Sequence, residues 1–130
     1  MIRGTEARIT DLLASANAAG GFPASLVCTA EGLTIAASGT LATDNVAAFA
    51  SLFEDIVVRG RRDLGLQHID EVSLRGPIDG RYVVRPLVFA GRTRAFVVVC
   101  VPAARSWRRI TNALVSRLSV VLSPLMQEDP

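Results

Sequence analysis

Residues 94–101 read RAFVVVCV, a run with almost no polar interruption after Arg94. A strand that faces water on one side alternates apolar and polar residues, and this one does not. It is therefore expected in the middle of a sheet that is covered on both faces. The apolar character continues through FVVVCVPAA at 96–104, where Pro102 breaks it far short of the ~20 residues that a membrane-crossing helix needs.

Working outward from this strand, the preceding segments read as its partners. HIDEVSLRG at 68–76 alternates, with Val72 and Leu74 set against Glu71, Ser73 and Arg75. PIDG at 77–80 supplies turn chemistry, RYVVRPLV at 81–88 is a strand, and AGRT at 90–93 turns again. Pro86 removes a ladder hydrogen bond from that strand, so a bulge or irregular pairing is expected there. Nearer the N-terminus, ASLVCTA at 24–30 and LTIAAS at 33–38 form a hairpin about Glu31–Gly32, because glycine accepts a positive φ. Leu33, Ile35 and Ala37 alternate with Thr34, Ala36 and Ser38, as in a strand buried on one face.

Three helices frame these strands. In residues 5–19, Ile9, Leu12, Leu13, Ala16 and Ala19 recur at helical spacing, and Gly20, Gly21 and Pro23 end the element. Residues 43–64 form a second helix with Thr43 or Asp44 as N-cap and Gly65 as C-cap. Its stripe of Val46, Phe49, Ala50, Phe53, Val57 and Leu64, with Leu52 and Ile56 on the margin, is broad for a helix that touches only one sheet. Residues 105–123 form the last helix, carrying Trp107, Ile110, Leu114, Leu118, Val121, Leu122 and Leu125, with Pro124 ending or bending it. The order α-β-β-α-β-β-β-α predicts an α/β (α+β) sandwich of one antiparallel sheet with helices on its faces. A strand order of 2-1-5-4-3 places the fully apolar fifth strand centrally and the second and third at the edges. Residues 1–130 are read as one domain, long enough to bury about two-thirds of the unfolded surface.

The stretch AEGLTIAASG at 30–39 tests for a phosphate loop and fails. A P-loop needs GxxxxGK[ST] between strand and helix and a dinucleotide loop needs GxGxxG there, whereas this segment joins strand to strand. His68 is the one histidine and has no marked nucleophile beside it. Cys28 and Cys100 form no CxxC pair and no zinc spacing; on neighbouring strands they read as buried free thiols. No metal set, nucleophile elbow or paired carboxylates are visible, so neither catalysis nor a cofactor is expected. The net charge of +2 is too small to indicate nucleic acid, and few aromatics interleave with the basic residues, all of which are arginine. MIRGTEARIT at the start lacks the apolar core of a signal peptide, which suggests a cytoplasmic protein with no membrane insertion. Arg59, Arg61 and Arg62 suit the C-terminal end of their helix; Arg105, Arg108 and Arg109 crowd a helix start, where cations oppose the dipole. They read as a solvated face with local carboxylate partners, or as a surface for an acidic partner or phosphates.

EGLTIAASG at 31–39, NVAAFASLFEDIV at 45–57 and GRYVVRPLV at 80–88, in this order and spacing, resemble the Roadblock family of dynein light-chain and GTPase-regulator modules. The resemblance covers nearly the whole chain. It implies a profilin-like sandwich and a homodimer, or a heterodimer with a paralogue, whose third strands pair across a two-fold axis while the second helices pack together. It also implies that the dimer binds a Ras-like small GTPase or a larger scaffold. Carried onto this sequence, the interface residues are Phe49, Leu52, Phe53 and Ile56 on the helix and Glu71, Val72, Ser73, Leu74 and Arg75 on the strand. The residues themselves agree in two respects: the third strand is an open edge, and the second helix is more apolar than one sheet requires. Glu71 and Arg75 also fit a different role, as charges that protect the edge. A small-molecule sensor of similar α/β shape is the alternative reading; it would need a cavity with convergent polar groups, and no such polar set is apparent.

Overall fold

Five antiparallel strands form a single sheet in the order β2-β1-β5-β4-β3, with helices on both faces. The computed structural model describes residues 2–76 and 80–126. Its elements are α1 (Ile2–Gly20), β1 (Ala24–Thr29), β2 (Thr34–Gly39), α2 (Thr43–Ala50), α3 (Phe53–Leu64), β3 (Val72–Arg75), β4 (Arg81–Phe89), β5 (Arg92–Val101) and α4 (Arg108–Met126). The fold class and strand order are those expected from the sequence.

The unalternating strand is central, paired with β1 on one side and β4 on the other. Its two faces feed two cores. Val97, Val99 and Val101 join Ile9 and Leu13 of α1 and Leu114, Leu118 and Leu122 of α4. Phe96 and Val98 join Leu26 and Cys28 of β1 and Ala47, Ala50, Phe53 and Val57 of the helix pair α2/α3. Continuous apolar sequence in β5 is thus the direct result of cover on both sides.

The β1–β2 hairpin closes through Gly32, whose φ of 95° lies in the left-handed region. The Gly32 amide donates to the Thr29 carbonyl at 3.0 Å, and the Leu33 amide donates to Thr29 Oγ1 at 3.1 Å. The loop lies against α2: a Cβ on Gly32 would stand 3.2 Å from the Ala47 carbonyl oxygen. Burial along β2 differs from the expected alternation. Ala36 is buried, whereas Leu33 is exposed in the loop, and the pairing slips between Val27 and Cys28. That slip moves the loop residues out of the phase of the strand.

Residues 43–64 are two helices rather than one. Ser51 donates its hydroxyl to the Ala48 carbonyl at 2.6 Å, and the Leu52 amide reaches back three residues to the Phe49 carbonyl at 3.1 Å. A side-chain bond that competes with the backbone ladder tightens one turn without any proline or glycine. Thr43 and Asp44 are the first helical residues, Ala42 stands at the N-cap position, and Gly65 is the left-handed C-cap.

The third strand is shorter than expected, four residues in place of 68–76. The Leu66 amide bonds to the Gly60 carbonyl at 3.1 Å, and Leu66 and Ile69 pack over Gly60, where no side chain blocks them. The alternation before Val72 therefore serves a loop folded back on α3. Pro86 keeps its register opposite Phe96; the irregularity falls one residue later, between Leu87 and Val88. The β3 ladder already ends at Val72↔Val84, so Pro86 has no third strand beside it. Arg92 and Thr93 belong to β5, leaving Ala90 and Gly91, both at positive φ, as the turn. The PIDG turn falls largely outside the described residues; on its flanks the Gly76 amide donates to the Gly80 carbonyl at 2.7 Å. Helix α4 starts after Trp107 and carries Pro124 in its last turn.

Candidate interaction surface

Helices α2 and α3 turn Ala47, Ala50, Phe53 and Val57 inward. A second apolar row at helical spacing faces outward. Phe49 is 54% exposed, Leu52 57% and Ile56 46%, with Val58 also exposed. One sheet satisfies the inner row, and none of the described residues covers the outer one. Phe53 corrects the sequence reading: it is 3% exposed, with its ring centroid 5.2 Å from that of Phe96. It is a core residue and is not available to a partner.

Strand β3 pairs only with β4 and forms one edge of the sheet. Its residues divide by face. Val72 packs on the core beneath α2/α3, and Leu74 stands opposite Tyr82, which is exposed on the same side. On the other face, the Ser73 hydroxyl accepts from Arg81 at 3.0 Å, and Arg75 lies opposite Arg81. The structure therefore places Phe49, Leu52, Ile56, Val72 and Leu74 on the side of the sheet carrying α2/α3, and Ser73 and Arg75 on the side carrying α4.

Glu71 belongs to neither set. Its carboxylate accepts from Trp107 Nε1 at 3.1 Å and lies 3.8 Å from Arg108, with the carboxylate side 15% exposed. It is committed to α4, so it guards no edge. Arg85 adds a second tie, donating to the Asp70 carbonyl at 2.8 Å and to Asn112 Oδ1 at 2.8 Å. Trp107, expected in the core stripe, sits half-buried at its rim because α4 begins one residue later. Tyr82 and Val58 were not singled out in the sequence. The β3–β4 register would have found Tyr82, since it sits across from Leu74.

The groups with chemical potential stay apart. His68 is exposed in the loop before β3. Cys28 pairs with Phe96 and Cys100 with Ala24, so three rungs of the β1–β5 ladder lie between the two cysteines. Both are free thiols, and burial pushes each from 9.0 to about 11, which keeps them protonated and unreactive at neutral pH. Among the described residues, no three His, Cys, Asp or Glu side chains converge on one point, and no helix is long and apolar enough to cross a membrane.

The architecture recurs in solved structures. A structure described as MglB with tetrameric arrangement superposes with a TM-score of 0.80, covering 94% of this chain and 93% of that one at 13% identity. The Roadblock/LC7 domain from Streptomyces avermitilis gives 0.72, covering 90% and 96% at 15% identity. The chain has the Roadblock fold. A GAF domain/HD domain protein from Geobacter sulfurreducens gives 0.65, covering 97% of both chains at 14% identity. No family model matches the sequence, and no curated protein matches it. In Roadblock terms, the second helix of the fold is here the broken pair α2/α3, and the open third strand is β3.

Proposed function

We propose that this Roadblock domain is a non-catalytic regulatory module that self-associates, as a homodimer or with a paralogue, and presents the paired surface to a Ras-like small GTPase or a larger scaffold in the cytoplasm. The observation that carries this reading is the outward row Phe49, Leu52 and Ile56 beside an unpaired sheet edge. Large apolar side chains in a row at helical spacing cost solubility unless a partner covers them. An edge strand of four residues offers backbone groups for extension by a second copy. The tetrameric arrangement described for MglB is in keeping with self-association in this fold. The GTPase partner rests on the family resemblance of the sequence. It is tested by purifying the tagged protein from its own cells and asking whether a small GTPase encoded beside its gene is retained. Retention that is lost in Leu52→Arg supports the reading; recovery of the intact dimer without any GTPase contradicts the partner.

A small-molecule sensor is the second reading. The likeness to a GAF domain and a hollow of about 620 Å³ between α1 and α4, lined by Leu12, Ala16, Ile110, Arg109 and Arg117 among others, favour it. A thermal-shift screen against metabolites separates the two: a ligand that stabilises strongly in the isolated protein selects the sensor.

A further inference from the structure

Helices α1 and α4 lie side by side on one face of the sheet, and the hollow of about 620 Å³ opens between them. Its floor is apolar: Leu12 and Ala16 of α1 meet Ile110 and Leu114 of α4. Ala19 and Ala113, both exposed, stand at its walls. Side chains this short let another backbone come close to the floor. From Ser106 to Arg117 the hollow follows α4 for about 17 Å, which is about three helical turns.

Two arginines line its α4 side. Arg109 and Arg117 are exposed and stand about 12 Å apart along the helix axis. Among the described residues, neither guanidinium has an ion pair or a hydrogen-bond partner. Arg59 and Arg62 on α3 differ, each being paired with an aspartate, at 3.0 Å and 2.9 Å. No carboxylate lines the hollow. Glu6 and Asp11 of α1 are exposed and make no ion pair with either arginine. Arg109 also lies in the first turn of α4, which has no acidic residue, so its cation opposes the helix dipole. A negative charge placed there satisfies both the arginine and the dipole.

The shape selects the occupant. No strand edge opens at this hollow, so an extended peptide would lay unpaired backbone N–H and C=O groups on the apolar floor. A helix satisfies its own backbone and presents apolar side chains at i, i+3, i+4 and i+7. Carboxylates two turns apart on one flank of that helix match the spacing of Arg109 and Arg117.

We propose that the α1–α4 hollow docks an amphipathic helix of a partner protein, apolar towards Leu12, Ala16, Ile110 and Leu114 and acidic towards Arg109 and Arg117. The site is on the opposite face of the sheet from Phe49, Leu52 and Ile56, so it stands whether or not the chain dimerises.

The test places the photo-crosslinker p-benzoylphenylalanine at Ala113 of the full chain in its own cells and maps the captured peptide by mass spectrometry. The expected capture is a segment with apolar residues at helical spacing and carboxylates seven or eight residues apart on one flank. It is lost in Arg109→Glu combined with Arg117→Glu, and retained in Arg61→Glu and in Ile56→Arg. The Tm of the double variant stays at the wild-type value; should it fall, Arg109→Gln combined with Arg117→Gln takes its place. Trp107, the one tryptophan of the chain, lines the hollow and reports on it by fluorescence. A synthetic copy of the captured segment is expected to shift its emission saturably, with Kd raised about tenfold or more by the double reversal. No capture at Ala113, capture of a second copy or of a segment of the same chain, or capture that survives the double reversal would overturn the proposal. No capture together with a metabolite that shifts Trp107 emission would overturn it in favour of the sensor reading.

Discussion

The indole N–H of Trp107 donates to the carboxylate of Glu71 at 3.1 Å, tying the chain just before β3 to the start of α4. It adds to the ladder with β4 and to the tie that Arg85 makes between the Asp70 carbonyl and Asn112. Hydrogen bonds to charged groups contribute about 1.5–3 kcal/mol, and a partner left behind in a half-buried site adds to the loss. Glu71→Ala is expected to lower unfolding stability by about 2 kcal/mol in denaturant titration. Asp63→Ala, which removes an ion pair whose side chains are 64% and 56% exposed, is expected to change it by less than about 1 kcal/mol.

Phe53 and Phe49 lie four residues apart and are expected to separate core from surface. Phe53→Ala leaves a cavity beside Phe96 and is expected to cost about 3–5 kcal/mol. Phe49→Ala removes a ring that is already half in water and is expected to cost less than about 1 kcal/mol. Thermal unfolding of the two variants at a concentration below dimerisation makes the comparison. Equal losses would mean that the inward and outward rows have been wrongly divided.

Gly32 carries both a positive φ and a close neighbour, the Ala47 carbonyl. Gly32→Ala is expected to destabilise by about 1–3 kcal/mol. Gly91, also at positive φ but with open space around it, is expected to accept Asn with little loss. Paired chemical denaturation curves check the difference.

The cysteines fix a high-pH limit. Burial raises both thiols from 9.0 to about 11 in the folded chain. A raised pKa in the folded state gives a contribution that is fully present below the unfolded value and lost as pH rises through the folded one. Stability is therefore expected to fall between about pH 9 and 11, and Cys28→Ala with Cys100→Ala is expected to flatten that fall. A thiol reagent at pH 8 is expected to label Cys28 only after denaturant is added.

Strand order was legible because β5 is apolar at every position from Ala95 to Val101, and only a doubly covered strand tolerates that. The hairpins followed from Gly32 and Gly91 in their turns. The break after Ala50 was not legible, because it comes from one serine hydroxyl finding a carbonyl three residues back. Phe53 is in the core because it continues the inward face of Ala47, Ala50 and Val57 at helical spacing; the sequence stripe contained it but did not separate inward from outward residues. The length of β3 was misjudged because Ile69 and Val72 both bury, one against a helix and the other against the sheet. Glu71, Arg85 and Trp107 meet across long sequence separations, and no spacing rule reports such contacts.

The central claim is that the outward row Phe49, Leu52 and Ile56 is a surface shared between chains. Multi-angle light scattering at micromolar concentration, on the wild type and on Ile56→Arg, tests it most directly. The account predicts a wild-type mass twice that of the chain, with Ile56→Arg falling to the single-chain mass while its Tm, measured in dilute solution, stays unchanged. A wild type that runs as a clean monomer, or an Ile56→Arg variant that remains dimeric, would contradict it.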